Sequence, residues 1–292
     1  MYKLKIIIKN VLQKNIYLYE FALFFWKIVN FPKNFFKKQI NKGIKKKAFK
    51  EFETNNGLIT INYNGVKAKY ETSSPFDYYK IKIGSQYENA FFKKIFNKIT
   101  EGMIVYDVGG SIGMYTIPFA KKVGKSGKVF VFEPTKKGFE SIKKNVNLNE
   151  INNVVTYPYA LSDRTSEINF YVRPDKETHS LFEKTIAPSK TGKQEITKVK
   201  AFTIDDLIKR NLAEKPNFIK IDTEGAEIKV LNGMNEIYKN LNMILVEIHK
   251  PALKLENILN PEIIIEKKLK KIGFTKFEYL SNSHLFASKK IN

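Results

Sequence analysis

The 292-residue chain contains no cysteine. That excludes disulfide stapling, thiolate zinc sites and a cysteine nucleophile, and it fits a reducing, cytoplasmic compartment. It also removes modification at carbon 5 of a pyrimidine, which usually needs an attacking thiolate. Arginine is missing from residues 1–50, so that segment has no guanidinium fork with which to read base edges. Long apolar runs are missing too. Ile16–Phe31 holds seven aromatics in sixteen residues, but Glu20 and Lys27 interrupt it, and a membrane-crossing helix needs ~20 apolar residues. Ile6–Ile8 is too short for the apolar core of a cleaved signal peptide, and no small-residue cleavage site follows. There is no internal repeat.

What is present is enough for a sizeable core, at 43% hydrophobic residues. The net charge is +22. Thirteen lysines and one acid, Glu20, give residues 1–50 a net +12, leaving only +10 on the other 242 residues. A basic excess attracts nucleic acid, anionic lipid or acidic glycan, although a lysine, isoleucine and asparagine bias also follows from AT-rich coding. Lys14 on one side and Lys33, Lys37 and Lys38 on the other flank the aromatic stretch. Such an arm suits an anionic bilayer surface at the inner face of a membrane, or docking on the rest of the protein or on a partner subunit.

Three regions are expected: a basic aromatic-rich helical arm at 1–50, a β-hairpin extension at 51–83, and a main domain at 84–292. Leu58–Tyr63 and Val66–Glu71 are rich in β-formers and joined by Asn64-Gly65, a tight-turn dipeptide. Ser74-Pro75 breaks the pattern, and Gln86–Ile99 has helical spacing. Strand, turn and helix then alternate. Strands are expected at Met103–Val108, Lys128–Glu133, Val154–Ala160, Asn217–Asp222 and Leu241–Ile248. Helices are expected at Met114–Val123, Lys136–Leu148 and Ala226–Leu231. That alternation implies a parallel sheet covered on both faces. Glu167–Val172 and Ile196–Phe202 add strand-like runs around a polar loop. The chain closes as helix Pro261–Ile272 and a hairpin, Thr275–Leu280 with His284–Ser288. The expected fold is a Rossmann-like, mostly parallel seven-stranded sheet with a C-terminal antiparallel hairpin, as in class I methyltransferases.

The strongest local signal is Val105–Gly113, VYDVGGSIG. Gly109 and Gly110 allow a close approach of backbone to ligand, and Gly113 allows tight packing of helix on strand. Asp107 stands where dinucleotide folds usually place their first glycine. A carboxylate suits a pyrophosphate poorly but suits the ammonium of a methionine moiety, which favours S-adenosyl-L-methionine over NAD. Glu133 comes twenty residues after Gly113, at the end of VFVFEP, where an acid can accept both ribose hydroxyl protons. Pro134 then opens the next helix.

The order of DVGGSIG, FEPTKKGFESIKKNV, ALSD (Ala160–Asp163), TIDDL (Thr203–Leu207), IKIDTEGAE (Ile219–Glu227) and VEIH (Val246–His249) resembles the FkbM family of S-adenosylmethionine-dependent methyltransferases, over about residues 84–288. The resemblance implies that Asp107, Gly109 and Gly113 line the methionine end of the cofactor and that Glu133 holds the ribose. It also implies that Ala160, Leu161 and Ser162 lie near the adenine, and that Glu88 helps to close the site. The chain departs from the usual alanine-asparagine of the family turn with Gly110-Ser111. Serine keeps a hydroxyl there, so binding with altered local contacts is expected.

Methyl transfer needs an in-line acceptor and exclusion of water, and an alcohol acceptor gains from a nearby base. Asp222 and Glu224 leave one strand, and Glu247 and His249 leave the next, at the edge where open α/β sheets bind ligands. His249 is the leading general-base candidate. Asp222 is an alternative base or cofactor-orienting group, and Glu224 is either catalytic or a helix cap. His179, in THSLF, falls where the family often has a loop over the acceptor. No dedicated ligand spacing marks a metal site, so none is expected. The favoured reaction is O-methylation of a hydroxyl on a sugar, glycan or related small metabolite. An RNA methyltransferase is the alternative, made unlikely by the absence of an Asn/Asp-Pro-Pro-aromatic motif. A non-catalytic membrane-associated binding protein of the same fold is the third reading. Oligomeric state is not legible.

Overall fold

The structure, a computed structural model, describes residues 43–87, 89–173, 178–180, 195–236 and 241–289. Most of the basic arm, and with it the choice between lipid and docking, lies outside the described residues. Among these residues no helix is long and apolar enough to cross a membrane. The chain divides into two compact units, Met1–Asn56 and Gly57–Asn292. In the first, residues 43–54 are helical.

The second unit begins with the hairpin, β1 (Leu58–Tyr63) and β2 (Val66–Glu71). Asn64 and Gly65 both take positive φ, 51° and 94°, as a two-residue turn that matches strand twist requires. The expectation that residues 51–83 stand outside the main domain gives way to a different arrangement. The backbone N–H of Glu71 donates to Asn145 Oδ1 at 2.8 Å, and that of Lys69 to Asn149 Oδ1 at 3.0 Å. Both asparagines belong to the helical region at Lys136–Asn149, so the outer edge of the hairpin is satisfied by the domain it precedes.

Ser74-Pro75 ends the strand pattern as expected, and it also starts a helix. Helix α1 (Pro75–Tyr87) opens there, with the N–H of Asp77 donating to Ser74 Oγ at 3.1 Å and that hydroxyl donating back to Asp77 Oδ2 at 3.0 Å. Proline at the first helical position loses no intrahelical bond, and the serine–acid exchange is a reciprocal cap. The following helix, α2 (Asn89–Phe96), buries Phe92, Ile95 and Phe96.

The central sheet contains β3 (Ile104–Val108), β4 (Lys128–Phe132), β5 (Val154–Tyr157), β10 (Phe218–Ile221), β11 (Met243–Glu247), β12 (Lys276–Tyr279) and β13 (His284–Ser288). Its order is β5-β4-β3-β10-β11-β13-β12. Every pairing from β5 to β11 is parallel, whereas β13 runs antiparallel between β11 and β12. This is the class I methyltransferase architecture. Helices α3 (Thr116–Val123), α4 (Lys136–Leu148), α5 (Ile204–Lys209), α6 (Glu227–Asn232), α7 (Lys250–Leu255) and α8 (Pro261–Lys271) complete the layers.

The expected strand Val154–Ala160 is split. Pro158 has no N–H to continue a ladder. β5 therefore stops at Tyr157, and β6 (Ala160–Leu161) joins a separate four-stranded sheet, β6-β9-β7-β8, with β7 (Ser166–Arg173), β8 (Thr178–Ser180) and β9 (Glu195–Phe202). Two apolar layers sandwich the central sheet. Tyr106, Val108, Ile219, Ile221 and Val246 belong to one; Val105, Phe218, Leu245 and Val131 belong to the other. Side chains alternate between faces along a strand, so Asp107 and Lys220 share the second face, in register across β3 and β10.

Candidate active site

The parallel strands end together, and a cavity of about 390 Å³ opens at that edge. Its floor is the turn after β3. Gly109 has φ +82°, and a Cβ there would lie 1.8 Å from the carbonyl oxygen of Asp222, so no other residue fits without moving β10. At Gly110 a Cβ would lie 2.5 Å from Val131 Cγ1. Ser111 takes φ 52°, which aims its N–H at Glu133 Oε2, 2.9 Å away.

Glu133 follows β4 and is 1% exposed. Its Oε1 accepts from the N–H and the hydroxyl of Thr135, at 2.9 and 2.5 Å. Thr135 also caps α4, accepting from the N–H of Gly138 at 3.1 Å. Glycine is needed at 138, because a Cβ would sit 2.7 Å from Glu133 Cγ. A carboxylate has about four acceptor positions, and the protein fills three. The remaining one is on Oε2, and because Glu133 lines the cavity it suits a hydroxyl donor.

The opposite wall comes from the end of β10. Lys220 is 4% exposed. Its ammonium lies 3.0 Å from Asp222 Oδ2 and 3.4 Å from Asp107 Oδ1, over the ring of Tyr115 at 4.7 Å from the centroid. Burial opposes its charge, but the Asp222 and Asp107 carboxylates outweigh burial and hold the proton more firmly than in an ordinary lysine. In return, burial of Asp222 is outweighed by Lys220, which holds that carboxyl below its usual range.

His249, just past β11, sits among acids. Its Nδ1 is 2.8 Å from Glu227 Oε1. Its Nε2 lies 3.4 Å from Glu224 Oε2, 3.7 Å from Asp222 Oδ1 and 4.0 Å from Glu247 Oε1. Burial disfavours the imidazolium, but the Glu227 hydrogen bond and the surrounding carboxylates prevail, and the pKa is pushed up to about 10. The imidazole therefore holds its proton more firmly than a free histidine does.

Of the residues singled out in the sequence, Gly109, Gly110, Ser111, Glu133, Pro134, Ala160, Leu161, Asp222 and Glu224 line one cavity. Asp107, Gly113, Ser162 and His249 do not. Asp107 is fully buried beneath the turn, accepting from Thr116 Oγ1 at 2.6 Å. It fixes Lys220 and does not reach the cavity, in contrast to the expected contact with a ligand ammonium. Ser162 is 3% exposed and donates to Asp163 Oδ1 at 3.1 Å. Glu88 and the side chain of His179 lie outside the described residues. The sequence reading missed Lys220, although a lysine inside the apolar strand FIKI must be paired to be buried. It also missed Tyr79 and Lys80 on α1, Tyr115 and Tyr159, all of which line the cavity. No local pattern marks those four, since tertiary folding alone brings them there.

A family model described as the methyltransferase FkbM domain matches residues 107–274, more than half of the chain. The hexuronic acid methyltransferase AglP of Haloferax volcanii is 26% identical over 188 residues, covering 64% of this chain and 72% of its own length. Methyltransferase 1 of Beauveria bassiana is 26% identical over 186 residues, covering 58% and 74%. Among solved structures, a SAM-dependent methyltransferase from Aquifex aeolicus is similar at 16% identity and a TM-score of 0.42, covering 71% of this chain and 95% of its own. The FkbM methyltransferase of Methylobacillus flagellatus is similar at 13% identity and a TM-score of 0.41, covering 73% and 54%. The glycine floor, the part-filled Glu133 carboxylate and the strand order suit the nucleoside of S-adenosylmethionine, and with the match over residues 107–274 they place the chain in the FkbM family of S-adenosylmethionine-dependent methyltransferases.

Proposed function

We propose that this methyltransferase acts on a hydroxyl oxygen of a sugar, as a free metabolite or within a glycan. The observation that carries this reading is the placement of Asp222 and Glu224 on the same cavity as Glu133. One acid is suited to the cofactor's ribose, and two others are left for a polyhydroxylated neighbour. The named activity of AglP, a hexuronic acid methyltransferase, supports a sugar acceptor.

S-adenosylmethionine, when bound, supplies an electrophilic methyl on a sulfonium. The chain does the rest. Gly109 and Gly110 let the turn pack against Asp222 and Val131 and so form the floor on which the cofactor would rest, and Glu133 would accept from a ribose hydroxyl. Asp222, kept ionised by Lys220, and Glu224 would accept hydrogen bonds from acceptor hydroxyls, turn an oxygen lone pair toward the methyl, and take up the hydroxyl proton as the oxygen–methyl bond forms and the sulfur–methyl bond breaks. Tyr79, Tyr115 and Tyr159 restrict water. Orientation of this kind accounts for much of what a transfer with no covalent protein intermediate requires.

The test is incubation with methyl-labelled cofactor and, separately, a hexuronate oligosaccharide, a neutral hexose oligosaccharide and RNA. The expected outcome is label in a sugar pool as an ether that survives mild alkali. Label confined to RNA would contradict the reading, as would label released from the uronate as methanol, which would mark a carboxyl ester.

A further inference from the structure

The linear sequence carries no metal-ligand spacing, but folding brings His249, Asp222 and Glu224 together so that one donor atom from each lies within 4.8 Å of the others. We infer that His249 Nε2, Asp222 Oδ1 and Glu224 Oε2 form a binding site for a divalent cation of the Mn²⁺ type at the acceptor side of the cavity.

Geometry is the first support. Cis ligands on a six-coordinate cation with bonds of about 2.1 Å lie about 3 Å apart. Nε2 is 3.4 Å from Glu224 Oε2 and 3.7 Å from Asp222 Oδ1, so those two pairs are already near that spacing, and all three donors lie within 4.8 Å of one another. Asp222 is divided in a useful way: Oδ2 holds Lys220, and Oδ1 faces the histidine. An imidazole with two carboxylate oxygens is a donor set for transition-type divalent ions such as Mn²⁺.

The second support is independent of the three donors. Glu227 is completely buried, and its Oε1 takes the N–H of Gly225 at 2.8 Å and faces His249 Nδ1 at 2.8 Å. Its Oε2 is buried with no hydrogen-bond partner. A carboxylate on the second nitrogen of a ligating histidine fixes the tautomer that leaves Nε2 for the metal. An under-satisfied buried anion beside it is costly unless positive charge is close. Among the described residues four acids surround His249, while Lys220 is shared between Asp107 and Asp222 and His284 lies 3.3 Å from Glu247, an excess of acidic groups over lysines. A divalent ion, with the Nε2 proton released to solvent, redresses that excess.

Asp222 and Glu224 line the cavity, so the open coordination positions face the acceptor. A hydroxyl oxygen on a divalent cation loses its proton more readily. The acceptor would then be one that chelates: a vicinal diol, or a hydroxyl beside a uronate carboxylate. This role rests on the sugar-hydroxyl reading above, whereas the cation site does not.

The experiment uses the full chain, stripped with EDTA, dialysed and titrated with Mn²⁺ alone, with free ion read from its six-line electron paramagnetic resonance signal. The expected result is one Mn²⁺ taken up per chain, weakened at least tenfold by His249→Gln and by Glu224→Gln. Glu224 is half exposed at its side chain, so the second variant remains a fair test if the first fails to fold. No stoichiometric uptake by the wild-type chain, or uptake by Glu224→Gln equal to wild type, overturns the site. Calorimetry with S-adenosylmethionine on the same stripped protein reads the methyl-transfer assignment separately. Cofactor binding without Mn²⁺ uptake overturns the cation site alone.

Discussion

Two acidic regions face each other across the cavity, and they are built on opposite principles. At the end of β4, Glu133 is one acid held by three donors, two of them backbone N–H groups and the third the hydroxyl of Thr135. At the ends of β10 and β11, Asp222, Glu224, Glu227 and Glu247 crowd one imidazole, with Lys220 as the neighbouring cation. The first is already neutralised by dipoles that cannot move away, which suits a ligand that must be held in one pose. Among the described residues the second gathers four carboxylates around one imidazole, with Lys220 on Asp222 and His284 on Glu247, which suits a place where a cation or a polar acceptor completes the set. Preorganisation on one side and incompleteness on the other divide cofactor holding from acceptor handling.

The sharpest way to break this contrast is Lys220→Met. Asp107 is fully buried, and removing its cation leaves an uncompensated charge in the core, which costs about 3–5 kcal/mol. Urea unfolding should show a loss of that size, and adding Asp107→Asn should recover at least half of it. A single-variant loss under about 1 kcal/mol would mean that the buried pair does not anchor the acceptor side. A smaller effect is expected at the cover of the cavity. Ser74→Ala removes the cap of α1 and should cost about 1 kcal/mol. In a unit of this size that lowers the melting temperature by about 2–4 °C. It should leave Mn²⁺ uptake unchanged, since Ser74 touches neither acidic region. A change in uptake would show that the cover and the acceptor side are not separable.

Much of the scaffold is legible in the residues. β1, β2, α4 and β13 occupy the spans that alternation, the Asn64-Gly65 turn and the 3.6-residue period mark out. The gaps have physical causes. Ser74-Pro75 ends the strand pattern and also caps a helix, and only the reciprocal bond to Asp77 reveals the second role. Pro158 ends β5 because a ladder needs a donor, and the residues beyond it are captured by another sheet. The motif position of Asp107 points toward a ligand, whereas strand parity decides otherwise. Parity puts it with Val105 and Lys220, facing the core. The glycine floor and Glu133 are local to one strand–turn–helix unit, so the sequence displays them. The acids around His249 come from two separate stretches, 222–227 and Glu247, and the one that holds its Nδ1, Glu227, is distant by 22 residues. No spacing rule announces such a set.

Calorimetric titration of S-adenosylmethionine into the wild-type chain and Glu133→Gln tests the central claim most directly. Glutamine keeps the side-chain length, but its amide NH₂ cannot accept from Ser111 N–H, Thr135 and a ribose hydroxyl together. The account predicts measurable binding by the wild type and a weakening of at least tenfold in the variant, in line with about 1.5–3 kcal/mol for a hydrogen bond to a charged group. Equal affinity in the two proteins would contradict it.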